Sequence, residues 1–217
     1  MPAEIESAVT VGRAWWGFDQ LADDVMTTQE AFHRSGLDWL VEKRPLFTTP
    51  IQMPDNALGD LKAGLLGTDT PTMIHVPGKF AVMRTRDNIP LGVVGNEFQV
   101  VQNVQMFDFL DALTATDDKV AKWDSAGSLR GGRHVWALLN LPGSDIQIGR
   151  GDRVLKYLLI TNAHDGSAAC RVIPTTVRVE CWNTLQAAVM GEFSDLAVTI
   201  RHSGDIENKI AQAKLAL

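Results

Sequence analysis

The spacing of hydrophobic and polar positions changes several times along the chain, and each change predicts an element. Thr27-Thr28-Gln29-Glu30 reads as a capping box with Thr27 as N-cap, so a short helix should follow and stop near Gly36. Leu37, Trp39 and Val41 then alternate with Asp38, Leu40 and Glu42, which predicts a strand to about Phe47. Residues 79–85 and 91–95 flank Arg86-Asp87-Asn88 and read as a hairpin. Val104, Phe107, Leu110 and Leu113 fall at helical spacing and predict a helix over 103–114. Strands are expected at 119–124, 133–140, 154–163 and 168–173. The run at 154–163, VLKYLLITNA, is almost continuously apolar, as in a central strand buried on both faces. Val177, Cys181, Leu185 and Ala188 predict a helix over 176–190, and residues 196–201 a last strand. Ile206, Ile210, Ala213 and Leu217 form an apolar stripe on a final helix.

Two regions do not follow either period. Residues 48–78 hold four prolines and four glycines, which predicts a long excursion, with a helical turn around 57–65, serving as a functional loop or assembly arm. Residues 1–26 show only the aromatic cluster Trp15-Trp16-Gly17-Phe18. The final stripe meets no glycine or other stop signal, which implies either a chain cut from a longer protein or a helix face packed on a neighbouring subunit. The pattern as a whole predicts one α+β domain over 1–217, with an antiparallel sheet and helices packed mainly on one face.

Composition supports this picture. The chain has 217 residues, 45% of them hydrophobic and 21% charged, which suits a packed core and not disorder. No apolar run approaches the roughly 20 residues of a membrane span. The N-terminal MPAEIESAV carries acids where a signal peptide needs bases, so a cytoplasmic protein is expected. Cys170 and Cys181 give no disulfide framework and are read as buried thiols.

Charge adds more. Residues 119–178 carry nine basic and four acidic side chains, a net +5, in a chain whose total is −6. Such segregation marks either a face that meets a polyanion or a solvated basic surface. Within it, Arg130-Gly131-Gly132-Arg133 places two arginines around a turn whose glycines allow close approach to phosphate. If residues 176–190 are helical, Arg178 and Trp182 share one helix face, a guanidinium beside an indole, as base stacking and phosphate contact would use. A Trp packed under a loop with a stabilising Arg on it is the alternative. Arg171 lies on the strand face opposite Cys170 and Val172, and Lys156 on the strand before it. Arg133, Lys156 and Arg171 on a sheet, with Arg178 on a helix, would form one continuous groove.

Catalytic motifs give less. The sequence contains no P-loop, no G-x-G-x-x-G after a strand, no G-x-S-x-G, no H-E-x-x-H and no C-x-x-C. Thr161-Asn162-Ala163-His164-Asp165-Gly166-Ser167 invites a hydrolase reading, but Asp165-Gly166 also reads as a tight turn between strands. His134, His164, Cys170 and Cys181 match no known metal-ligand spacing. No metal or cofactor is expected.

Several segments resemble a phage- and plasmid-borne family defined by a domain of unknown function, number 932. They are Trp16-Gly17, SGLDWLVEKRPLF (35–47), VPGKFAVMR (76–84), LGVVGNEFQVVQN (91–103), GGRHVWALLNLP (131–142) and TNAHDGSAACRVIPTTVRVECWNTL (161–185). The family's usual Trp-His-Gly is Trp15-Trp16-Gly17 here, so this chain lacks that histidine. The resemblance carries no established activity. It implies a setting among phage recombination genes and a remote similarity to single-strand annealing proteins, which work without ATP as rings or filaments. The expected function is therefore single-stranded DNA binding and annealing by a homo-oligomer, with Arg130, Arg133, Lys156, Arg171 and Arg178 on phosphate and Trp182 stacking. An enzyme acting on nucleic acid, centred on Asn162, His164 and Asp165, and a phage structural or host-interaction protein are the alternatives.

Overall fold

In the computed structural model, Tyr157–Ala163 is buried along its whole length and pairs antiparallel on both sides, as its nearly continuous apolar run predicts, although the strand begins at Tyr157 and not at 154. The structure describes residues 4–12, 21–22, 26–49, 73–114, 121–143, 146–148 and 152–215. The aromatic cluster at 15–18, the helical turn expected at 57–65, Lys119, Arg150 and Leu217 lie outside them.

Among the described residues, twelve strands and four α-helices follow in the order β1 (Ile5–Val11), β2 (Leu21–Ala22), α1 (Thr28–Arg34), β3 (Val41–Thr48), β4 (Ile74–Arg84), β5 (Ile89–Gly95), α2 (Asn103–Thr114), β6 (Lys122–Leu129), β7 (His134–Asn140), β8 (Ile146–Ile148), β9 (Asp152–Val154), β10 (Tyr157–Ala163), β11 (Cys170–Thr175), α3 (Trp182–Val189), β12 (Val198–Ile200) and α4 (Ile206–Leu215). The main sheet runs β12-β11-β10-β7-β6-β1-β2 and is antiparallel except for the β1–β2 pair. A second sheet, β3-β4-β5, and a small β8-β9 ribbon complete an α+β fold in which strand predominates.

Strand alternation sends side chains to two cores. One holds Val135, Ala137, Leu139, Leu158, Ile160, Cys170 and Val172 from the main sheet, with Ala31 of α1, Phe107 and Leu110 of α2, and Ile206 and Ala213 of α4. Val41, Val82, Leu91 and Val94 of the second sheet join it. The other holds Trp136, Leu138, Tyr157 and Leu159 under Leu185 and Ala188 of α3, with Val179 and Cys181 from the segment before it. Both faces of the main sheet are thus covered, α3 lying apart from the other helices.

Several expectations are met locally. The Thr27–Glu30 capping box forms in both directions, α2 spans 103–114 as its spacing predicts, and Asn88, with φ 56°, turns the β4–β5 hairpin. Others are corrected. The excursion is shorter than 48–78, because residues 74–78 continue β4, with Phe47 opposite His75. The stripe on α4 does not await another subunit: Ile206 and Ala213 are buried in the first core and Ile210 packs against it. The helix expected over 176–190 starts only at Trp182. Residues 176–181 are neither helix nor strand, and Cys181, itself in extended backbone, is the N-cap, its Sγ accepting from Thr184 N.

Candidate nucleic-acid interface

Two turns and one helix start meet at one end of the main sheet. The β6–β7 turn places three successive residues in the left-handed region: Arg130 at φ 54°, Gly131 at 68° and Gly132 at 84°. Glycine suits such angles, while Arg130 is held there by its own N–H donating to the Glu4 carbonyl at 2.8 Å. Gly132 also has no room for a side chain, since a Cβ would sit 2.8 Å from Arg84 Nη1. Because β7 and β10 are neighbours, with His134 opposite Ala163, the β10–β11 turn lies alongside. His164 N donates to the Arg133 carbonyl at 2.8 Å and joins the turns, and Ser167 N donates to Asp165 Oδ1 at 2.9 Å.

The segment after β11 crosses the sheet face and delivers Trp182 to this end. The Arg130 guanidinium carbon lies 3.6 Å from the Trp182 ring centroid, and Glu4 pairs with Arg130 Nε. His134 meets the same indole edge-on at 4.7 Å, with its Nε2 3.5 Å from Asp165 Oδ2 and 3.4 Å from Ser167 Oγ. Burial lowers the His134 pKa. The Asp165 carboxylate opposes this, while Arg130 and Arg133 lower it further. Arg133 is exposed, and no carboxylate among the described residues pairs with it.

The continuous groove does not form. Arg171 donates to the carbonyls of Val189 at 3.2 Å and Ser194 at 3.0 Å, so it ties the end of α3 to the sheet. Arg178 does not share a helix face with Trp182. It sits near the other end of β6, donating to Asp124 Oδ2 at 2.9 Å, Thr10 Oγ1 at 2.9 Å and the Val11 carbonyl at 2.7 Å. The cause is the non-helical backbone of 176–181, which separates positions that a helix would have stacked. Burial pushes the Asp124 carboxyl up, with Arg178 pulling the other way. Lys156 precedes β10 at the end away from Arg133, about 20 Å along the strand at its usual rise. Of the six candidates, only Arg130, Arg133 and Trp182 come together, and His134 and Ser167 join them. His134 is visible in the sequence through its shared strand face with Trp136, two positions on; nothing in the spacing links Arg130 to Trp182.

Within the segment read as a hydrolase centre, Asn162 and His164 are buried, whereas Gly166 and Ser167 are exposed. His164 is fully buried, and its Nε2 lies 2.9 Å from Asn103 Oδ1. Asn103 Nδ2 donates to the Leu37 carbonyl at 3.0 Å, which leaves its oxygen as acceptor and assigns the His164 proton to Nε2. Burial, first, and nearby His202 push the His164 pKa down to about 3. Asn162 Nδ2 donates to the Val101 carbonyl at 3.2 Å. The neutral imidazole therefore ties the turn to the start of α2 and to the strand approach at 37–39. Both cysteines are free and buried, and burial raises the Cys170 pKa to about 12. Among the described residues, no group of three or more His, Cys, Asp or Glu could hold a metal ion, and no helix is long and apolar enough to cross a membrane.

Neither a curated protein nor a solved structure matches the chain. A family model, the domain of unknown function DUF932, matches residues 90–217, which include both turns, α3 and all of the assembled candidates. That match covers more than half of the chain, and the chain belongs to the DUF932 family.

Proposed function

We propose that the protein binds single-stranded DNA without strong sequence preference and anneals complementary strands without ATP, as an oligomer in the cytoplasm of a cell carrying a phage or prophage. The observation that carries this reading is the Arg130–Trp182 stack at the surface beside an exposed Arg133. Cationic planes, aromatic support and free guanidinium donors at one site are what a flexible polyanion with exposed bases requires. Annealing needs neutralised phosphates and accessible bases, and no nucleophile.

The oligomer draws support from Leu40, Phe47, Met73, Ile74 and Val93, large apolar residues exposed on the second sheet and its flanks. The same residues favour a second reading, a phage structural or host-interaction protein, which would form closed oligomers without affinity for DNA. Annealing of complementary oligonucleotides without ATP or metal separates the two. The protein should accelerate pairing, and Arg133→Ala should slow it; pairing at the spontaneous rate would favour the second reading.

A further inference from the structure

The Trp182 indole is already covered on one face. At 3.6 Å from the centroid, the Arg130 guanidinium cannot stand edge-on to the ring, since that would drive a nitrogen inside van der Waals contact with it. Glu4 holds Arg130 Nε, so the stack is assembled before any ligand arrives. His134 occupies the indole from another direction, edge-on. An incoming base could reach that face of Trp182 only by displacing an arginine that a carboxylate and an aromatic ring hold together.

The Arg130 side chain nevertheless remains 40% exposed. With its inner face on the indole, its outer face is the surface left open. We infer that Arg130, and not Trp182, is the base-stacking platform: an unpaired nucleobase lies on the outer face of its guanidinium, and Trp182 supports that plane from beneath. Guanidinium planes stack on bases as aromatic rings do. The left-handed run from Arg130 to Gly132 presents Arg133 on the same turn, where it meets the phosphate beside the stacked base. Bases inside a duplex are stacked on one another and offer no free face, so this arrangement selects single strands. The inference rests on the single-strand-binding reading and names the group that makes it selective.

Three probes test it: a labelled oligothymidine, an abasic strand of the same length, and a duplex. The protein should bind oligothymidine roughly 5- to 150-fold more tightly than the abasic strand, the range expected for one stacked base. Arg130→Lys keeps the charge and a partner for Glu4 but has no plane. It should bring the two affinities within about twofold while leaving the salt dependence of abasic-strand binding unchanged. Arg133→Lys should keep the base preference. A preference that survives in Arg130→Lys overturns the platform while leaving DNA binding intact. Absence of binding to any probe by the unaltered protein overturns the functional reading itself, so the two failures are distinguishable.

Discussion

Acidification should destabilise this fold, with His164 as the largest single cause. Its pKa is about 3 in the folded protein against an ordinary 6.5 for the exposed side chain. Between those values the unfolded chain binds a proton that the folded one excludes. The contribution is fully present above pH 6.5 and is lost as pH falls toward 3. At pH 5 the loss is about 2 kcal/mol relative to neutral pH, since each tenfold difference in proton affinity corresponds to about 1.4 kcal/mol. Burial also lowers the pKa of His134 and His202, which adds to the slope in the same direction. Denaturant titrations from pH 8 to 5 should show the decline, and His164→Gln should remove most of it. An equal decline in His164→Gln, or none in the unaltered protein, would contradict the assignment.

Trp136→Ala should cost about 3–5 kcal/mol, the range for deleting a large aromatic from a closed core. Trp136 is buried in the centre of the second core, with Nε1 3.4 Å from Ser125 Oγ. Its ring lies over Gly127, where a Cβ would stand 2.5 Å from Trp136 Cη2 and 2.3 Å from the Ser7 carbonyl oxygen. The indole thus fills space that the absence of a side chain at Gly127 provides. Relaxation is limited because α3 and strands β1, β6 and β10 enclose the site. Chemical denaturation should show a lower midpoint at an unchanged slope. A loss below about 1 kcal/mol would mean that the second core is loosely packed and collapses around the missing ring.

What the sequence made legible follows from how local each determinant is. The α1 capping box, the α2 spacing and the apolar run of β10 are all settled within one element, and the structure forms each, with β10 starting at Tyr157 instead of 154. The start of α3 is different. Val177 and Cys181 fit a helical stripe and a strand alternation equally, and Val179, buried between them in sequence, belongs only to the alternation. Thr175, Thr176, Val177 and Val179 are β-branched, which disfavours the helix expected there. β1 carries no such local signature, because its seven residues mix Ser, Thr and Glu with apolar positions and depend on β6 for pairing.

The candidate site divides in the same way. The basic stretch is visible as charge, but charge does not reveal its partners. Asp124 and the carbonyls that bind Arg171 and Arg178 are brought together only by the fold. Arg130 meets Trp182 for the same reason.

Contact between the Arg130–Arg133 end of the sheet and single-stranded DNA is tested most directly by affinity for a labelled oligothymidine across a salt series. Binding should weaken linearly on logarithmic axes, and Arg133→Ala should reduce the slope by about 0.7, the value for one lost phosphate contact on a single strand. Arg171→Ala, whose guanidinium is committed to the carbonyls of Val189 and Ser194, should leave the slope unchanged. Binding that ignores salt, or a slope that Arg133→Ala leaves intact while Arg171→Ala flattens it, would contradict this placement of the interface.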